Sequence, residues 1–432
     1  MSSGLRRGLL LLAPLTLALA AGGAVPAWAG DEASLSTGDT AWMLTSSALV
    51  LLMTAPGLAL FYGGLVRGKN VLSVLMQCLA AAGLVSLLWV VLGYSLAFGE
   101  GGRFVGDLDK VLLAHATPET LNGTIPEYVF VMFQGMFAII TPALMLGAFA
   151  ERMRFSAYLA FITIWLVAVY APLAHMVWGG GWIGESGAID FAGGLVVHMS
   201  SGWSALVAAI FIGKRRGYGR EAMHPHNLVF TVVGASMLWV GWFGFNAGSE
   251  LAADGISGLA FITTHTATST AILAWCAIEW LHHGRPTVLG AATAAVAGLV
   301  AITPACASVT PLGAMGVGIG GAIVCYVGVA FLKPRLGYDD SLDVFGVHGI
   351  GGMWGALATA LFISETTDAG YGGQIGIQLQ SIVFTAVFSV VATLLILVVL
   401  RAVLGTLRVS DEAESQGLDQ TEHSESAYDH AA

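Results

Sequence analysis

The stretch DFAGGLVVH, residues 190–198, places a carboxylate and an imidazole eight residues apart inside an otherwise apolar run. Read as helix, eight residues rise about 12 Å and return to within about 80° of the same face. The expectation is an acid near one membrane surface and a histidine near the bilayer centre. Ionisable groups in a membrane cost roughly 2.5–3.5 kcal/mol on insertion scales and are usually kept for ions, protons or polar substrates. A helix-packing hydrogen bond explains this pair alone equally well.

The surrounding chain settles the fold class. Of 432 residues, 56% are hydrophobic and only 10% charged, too apolar for an ordinary soluble domain. The net charge of -10 gives no basic field suited to nucleic acid. Cys78, Cys276, Cys306 and Cys325 all lie in apolar spans without metal-ligand spacing and read as free thiols. Arg6 and Arg7, an apolar run from Gly8 and the triplet Ala27-Trp28-Ala29 form an export signal over 1–29, with a retained first helix as the alternative.

A span needs about 20 mostly apolar residues. The sequence offers eleven: 41–65, 72–98, 127–149, 155–178, 191–212, 227–248, 258–281, 287–303, 310–332, 345–364 and 376–404. With the mature N-terminus outside, thirteen Lys and Arg fall on inside segments against Arg103 and Lys110 outside. That asymmetry orients the chain, with its C-terminus cytoplasmic. The expected fold is therefore an all-α polytopic membrane protein with eleven transmembrane helices.

A faint internal repeat adds symmetry. Ile140-Thr141-Pro142-Ala143 reappears as Ile302-Thr303-Pro304-Ala305. His198 with Gly202 and Trp203 is echoed by His348 with Gly352 and Trp354, and Phe61 with Gly64 by Phe245 with Gly248. The matches keep one order, each five spans apart. An odd repeat length turns the second copy upside down, and inverted repeats place substrate sites near the midplane.

Depth sorts the polar and aromatic residues. Phe133 and Phe137 lie in the outer half of the third span, Trp178 ends the fourth, and Trp242, Phe245 and Ser249 follow one another at helical spacing in the sixth. With Asp190 they form an outer vestibule of aromatic faces, a hydroxyl and a carboxylate. Aromatic faces attract cations and a serine oxygen accepts a hydrogen bond, so the site suits a small N–H-bearing cation. An interfacial aromatic belt is the competing explanation. Deeper in, the repeat relates His198 to His348, and the two are expected to meet near the centre. Adjacent neutral imidazoles can donate to and accept from each other. No third ligand at that depth supports a metal, no cofactor motif appears, and no nucleophile–base pair argues for an enzyme. His175 and His265 read as packing or vestibule residues, and His282-His283 as solvated.

AHMVWGGG (174–181), DFAGGLVVHMSSG (190–202), GWFGFNAGSE (241–250), ITPA (302–305) and DVFGVHGIGG (343–352) together resemble the ammonium transporter family (Amt/Mep/Rh), its bacterial Amt type above all. The resemblance implies two inverted five-helix repeats plus a C-terminal helix over residues 30–408, assembled as a homotrimer in the inner membrane with a pore in each subunit. It assigns Trp178, Phe137 and Ser249, with Phe133 nearby, to ammonium recruitment, Phe137 and Phe245 to a gate, and Asp190 to a carboxylate needed for transport. His198 and His348 become the twin histidines of an ammonia pore, with Trp242 along the path. An ammonium sensor is the alternative the family allows.

The tail from 409 to 432 differs in composition. From Asp411 onward it holds seven acids and no Lys or Arg, and it reads as a polar extension, disordered when unbound. Its segment GLDQTEHSESAY (417–428) resembles the regulatory tail of bacterial members, which implies a cytoplasmic PII-type protein as partner.

Overall fold

The structure, a computed structural model, describes residues 34–428. The export signal expected over 1–29 lies outside the described residues.

Nine helices among the described residues are long and apolar enough to cross a membrane: α1 (Thr37–Leu65), α2 (Gly68–Phe98), α3 (Glu127–Phe149), α4 (Phe155–Glu185), α5 (Gly194–Ile212), α6 (Leu228–Glu250), α9 (Pro311–Leu336), α10 (Phe345–Phe362) and α11 (Gly370–Leu404). Two more complete the expected eleven. Helix α7 (Gly255–His283) is long but carries many threonines, which bond back to carbonyls four residues earlier. Helix α8 (Val288–Ile302) is apolar but has only 15 residues. Pro304 follows it, and a proline has no N–H to continue a helix.

The repeat is visible in the packing. In the first half α1 packs on α3, α2 on α3 and α4, and α3 on α5. In the second half α6 packs on α8, α7 on α8 and α9, and α8 on α10. Across the halves α1 meets α6, while α5 and α10 each pack on the first turns of the other. Glycines permit that crossing: a Cβ at Gly202 would strike the backbone of Gly349, and one at Gly352 would strike Gly194 and Met199. Helix α11 closes the bundle against α4, α5 and α10.

On the basic side the loops are fastened by ions. Arg67 and Arg215 share Glu151, at 2.7 and 3.4 Å, and Arg215 also holds Asp339 at 2.8 Å. Arg152, fully buried, donates to carbonyls of Gly213, Ala150, Ala148 and Asp339 and to the Ser341 hydroxyl.

The tail is folded rather than disordered through Tyr428. Helices α12 (Asp411–Gln416) and α13 (Leu418–His423) dock on this same side. Their acids face backbone donors at helix starts and turns. Ser73 N–H donates to Asp419 at 2.8 Å, Phe155 N–H to Glu422 at 2.8 Å and Arg216 N–H to Glu414 at 2.6 Å. Composition alone suggested a solvated tail; helix N-termini attract anions, so the same acids become anchors.

Candidate functional site

Three cavities lie in series along the seam between the halves. The outer one, about 410 Å³, is lined by Phe137, Trp178 and Ser249 with Phe130, Gln134 and Phe191 among others. The middle one is about 10 Å³, room for about one water-sized molecule, and is bounded by Phe245, Trp242, His198 and His348. The inner one, about 350 Å³, reaches His348 from the basic side and includes Tyr62, Glu279, His283 and Asp343.

Phe137 and Phe245 separate the first two. Their rings stack with centroids 4.1 Å apart and 23° between planes. Trp178 meets Phe137 edge-on at 6.1 Å, and its indole N–H donates to the Asp190 carbonyl at 2.8 Å, which fixes the ring over the vestibule. The Ser249 hydroxyl donates to the Phe245 carbonyl at 2.8 Å, so its oxygen lone pairs stay free to accept from a cation.

Two residues are placed differently from expectation. Phe133 is fully buried and packs edge-on against Phe137 at 4.9 Å; it backs the gate and does not line the vestibule. Asp190 is 5% exposed and likewise absent from the vestibule wall. Residues 190–193 are not helical: Gly193 has φ 112°, and helix begins at Gly194. The carboxylate folds back over that start and accepts N–H bonds from Gly193 (3.0 Å), Gly194 (2.5 Å), Leu195 (2.8 Å) and Val196 (3.1 Å). The first N–H groups of a helix lack internal partners, and an anion is the best group to satisfy them. The acid and the imidazole therefore belong to one cap-and-helix unit rather than to one continuous helix. Asp340 stands in the related position before α10 and accepts from Phe345 N–H at 2.7 Å.

Beneath the gate, His198 and His348 meet. Their Nδ1 atoms are 3.2 Å apart and their rings lie 23° from parallel. One Nδ1 donates and the other accepts, because two imidazoliums would set N–H against N–H. The accepting ring then carries its proton on Nε2 and the donating ring has a bare Nε2. The pair thus offers one donor and one acceptor to a passing solute. His198 Nε2 has no partner among the described residues. Trp242 stacks on His198 at 5.4 Å and is pinned by Thr303, whose hydroxyl accepts its N–H at 2.9 Å. Both histidines lie in π-helical turns, Gly194–Met199 and Phe345–Gly349, a local widening often found at functional sites.

Gln134, Phe130 and Phe191 were not singled out from the sequence; spacing from Phe137 alone could have suggested the first two. Lys110 also reaches the vestibule, but its charge is matched by Glu127 at 3.2 Å. His175 is a packing residue whose two ring nitrogens face the carbonyls of Ala97 and Gly102, one of which accepts the N–H of a neutral imidazole. His282 and His283 are not simply solvated: both reach the Tyr326 hydroxyl, at 2.6 and 3.3 Å.

Comparison with known proteins adds a family to this geometry. The Ammonium Transporter Family profile matches residues 41–428. A protein named ammonium transporter from Bacillus subtilis (strain 168) is 48% identical over 406 residues, covering 91% of this chain and 99% of that protein. The crystal structure of Candida albicans Mep2 superposes with a TM-score of 0.82 at 36% identity, covering 88% of each chain. A structure described as a sensor Amt protein superposes with a TM-score of 0.84 at 30% identity, covering 89% of this chain and 98% of that one.

Proposed function

The chain belongs to the ammonium transporter family, and from that premise we propose that it carries ammonium across the cytoplasmic membrane by stripping the cation to ammonia. The observation that carries this reading is the series of cavities, wide, narrow and wide, divided by an aromatic pair and then by a histidine pair. In this account NH4+ leaves its hydration shell against Trp178 and Phe137, with Ser249 accepting one N–H. At the gate it gives up one proton to vestibule water and becomes NH3. Ammonia then passes Phe245, Trp242, His198 and His348, exchanging hydrogen bonds with the imidazole edges. The physical motive is discrimination. Potassium is close to ammonium in size, so a size filter is poor, but potassium has no proton to lose. A narrow apolar passage penalises the ion that must stay charged.

Asp190 acts in this proposal as a positioning residue. Its carboxylate is occupied by four N–H groups and takes no substrate proton; it sets Trp178 and the start of α5. The remaining parts of the reading are an N-terminus outside, a cytoplasmic C-terminus, a homotrimer within lipid and a PII-type partner at the docked tail. The positive-charge asymmetry supports the orientation.

A second reading, an ammonium sensor, is favoured by the likeness to the sensor Amt structure. Proteoliposomes decide between them. An ammonium pulse should produce a current or a lumenal pH change several-fold above protein-free vesicles. Saturable ammonium binding with neither signal would replace the transporter by the sensor.

A further inference from the structure

Among the described residues, Lys110 is the only charged side chain in the wall of the outer cavity. Its ammonium lies 5.3 Å from the centroid of the Tyr94 ring and 3.2 Å from a Glu127 carboxylate oxygen. The Tyr94 hydroxyl donates to the same oxygen at 2.8 Å. An aromatic face and a carboxylate thus already hold one alkylammonium group at the mouth. The arrangement is anchored on each side. Glu127 opens α3, and Tyr94 of α2 packs against Phe98 and Phe130 of the cavity wall. Lys110 lies on the loop between those helices. Its backbone N–H donates to the Ser95 hydroxyl at 3.0 Å, which itself donates to the Asp107 carbonyl at 2.8 Å. Leu112 and Leu113, just beyond, have φ of 55° and 56°. Residues other than glycine adopt that form at a cost, and the surrounding structure must hold them there.

Lys110 and Glu127 cancel, and the Asp190 carboxylate is spent on backbone N–H groups, so the wall presents no net charge. A negative wall would concentrate every monovalent cation alike, and a positive one would repel ammonium. With neither, occupancy depends on the aromatic faces and on an N–H for Ser249 to accept. We propose that Lys110 is the affinity-setting residue of the vestibule: by neutralising Glu127 it keeps alkali cations from accumulating there. The inference rests on this cavity being where ammonium enters. A cavity of about 410 Å³ is about 9 Å across, and one unit charge at that distance in a wet site changes cation affinity about three-fold.

The test is the ammonium-evoked current of the full-length protein on solid-supported membranes, at constant ionic strength, with potassium as competitor. Lys110→Met leaves Glu127 unmatched. Its KM for ammonium should fall about three-fold, and its inhibition constant for potassium should fall with it. Glu127→Gln leaves Lys110 unmatched and should raise both by about the same factor. The double variant, neutral again, should return to the wild-type values, and Lys110→Arg should match wild type. A pair that merely braces the loop behaves otherwise, since removing either partner shifts KM in the same direction. That result, or an unchanged KM in Lys110→Met, overturns the proposal. Should Glu127→Gln not fold, Lys110→Met against Lys110→Arg decides alone, because only the first removes the charge. If wild type passes no current, ammonium binding read by tryptophan fluorescence takes the place of KM. Opposite shifts there sustain the role of Lys110 while the transport reading fails, and their absence ends both.

Discussion

Replacing Asp190 by Asn separates a structural cap from a chemical acid. The carboxylate accepts four backbone N–H groups within 3.1 Å and is 5% exposed. An amide of the same shape has one oxygen, which can serve two of those donors, and an NH2 group that confronts the other two. Two hydrogen bonds to a charged acceptor are lost, at about 1.5–3 kcal/mol each, so the expected destabilisation is about 3–6 kcal/mol. The start of α5 then shifts, and with it Trp178, tied to the Asp190 carbonyl, and His198 one turn beyond the cap. Thermal unfolding of the purified protein and ammonium transport in proteoliposomes should therefore fail together. Asp190→Glu keeps the charge with an extra methylene and should lose less of both. A variant Asp190→Asn that unfolds at the wild-type temperature while transport is abolished would refute the cap argument and assign the carboxylate a direct part in the proton transfer.

Gly202→Ala should force α5 and α10 apart, because the new Cβ strikes the Gly349 backbone; an overpacking cost of about 1–3 kcal/mol and at least a ten-fold loss of transport are expected, measured by unfolding and by flux at equal reconstitution. Glu414→Gln removes the charge that Arg408 pairs with, costing about 1.5–3 kcal/mol, and limited proteolysis should then cut the tail faster than in wild type. Burial, against the pull of Lys333, pushes the Asp340 carboxyl up from 3.8 to about 6. A raised carboxyl favours the protonated folded form, so its contribution is fully present below about pH 4 and is lost as pH rises to about 6, a change of about 3 kcal/mol. Asp340→Asn should flatten the unfolding profile over that window, and an unchanged slope would assign it to another group.

Periodicity and hydropathy located the helices because lipid demands long apolar runs whatever they pack against. The spans read from sequence fall within three residues of the observed helices at most ends, with the starts of α1, α2 and α11 and the ends of α4 and α9 further off. The fifth is the instructive case. An apolar run from Phe191 looked helical, but the Gly193 backbone turns at φ 112° and Asp190 caps the helix from outside. Hydropathy cannot register a cap inside an apolar stretch. The histidine pair was legible through the repeat, since an inverted copy places related residues on opposite sides of one axis. Phe133 was misplaced because a helical turn of separation from Phe137 leaves open which ring faces the cavity. The tail was misread because acid-rich composition describes solvation, whereas Asp419 and Glu422 meet backbone N–H groups contributed by residues far away in sequence. The basic residues behaved likewise: Arg152 and Arg215 entered the charge count that sets the expected orientation, yet both are buried fasteners between loops.

The central claim is that the paired imidazoles filter by refusing an ion that cannot shed a proton. It is tested most directly by current on solid-supported membranes after separate ammonium and potassium pulses, for wild type and for His198→Ala combined with His348→Ala. The account predicts no potassium current in wild type and a clear one in the double variant. A double variant that folds, inserts and still excludes potassium would contradict it.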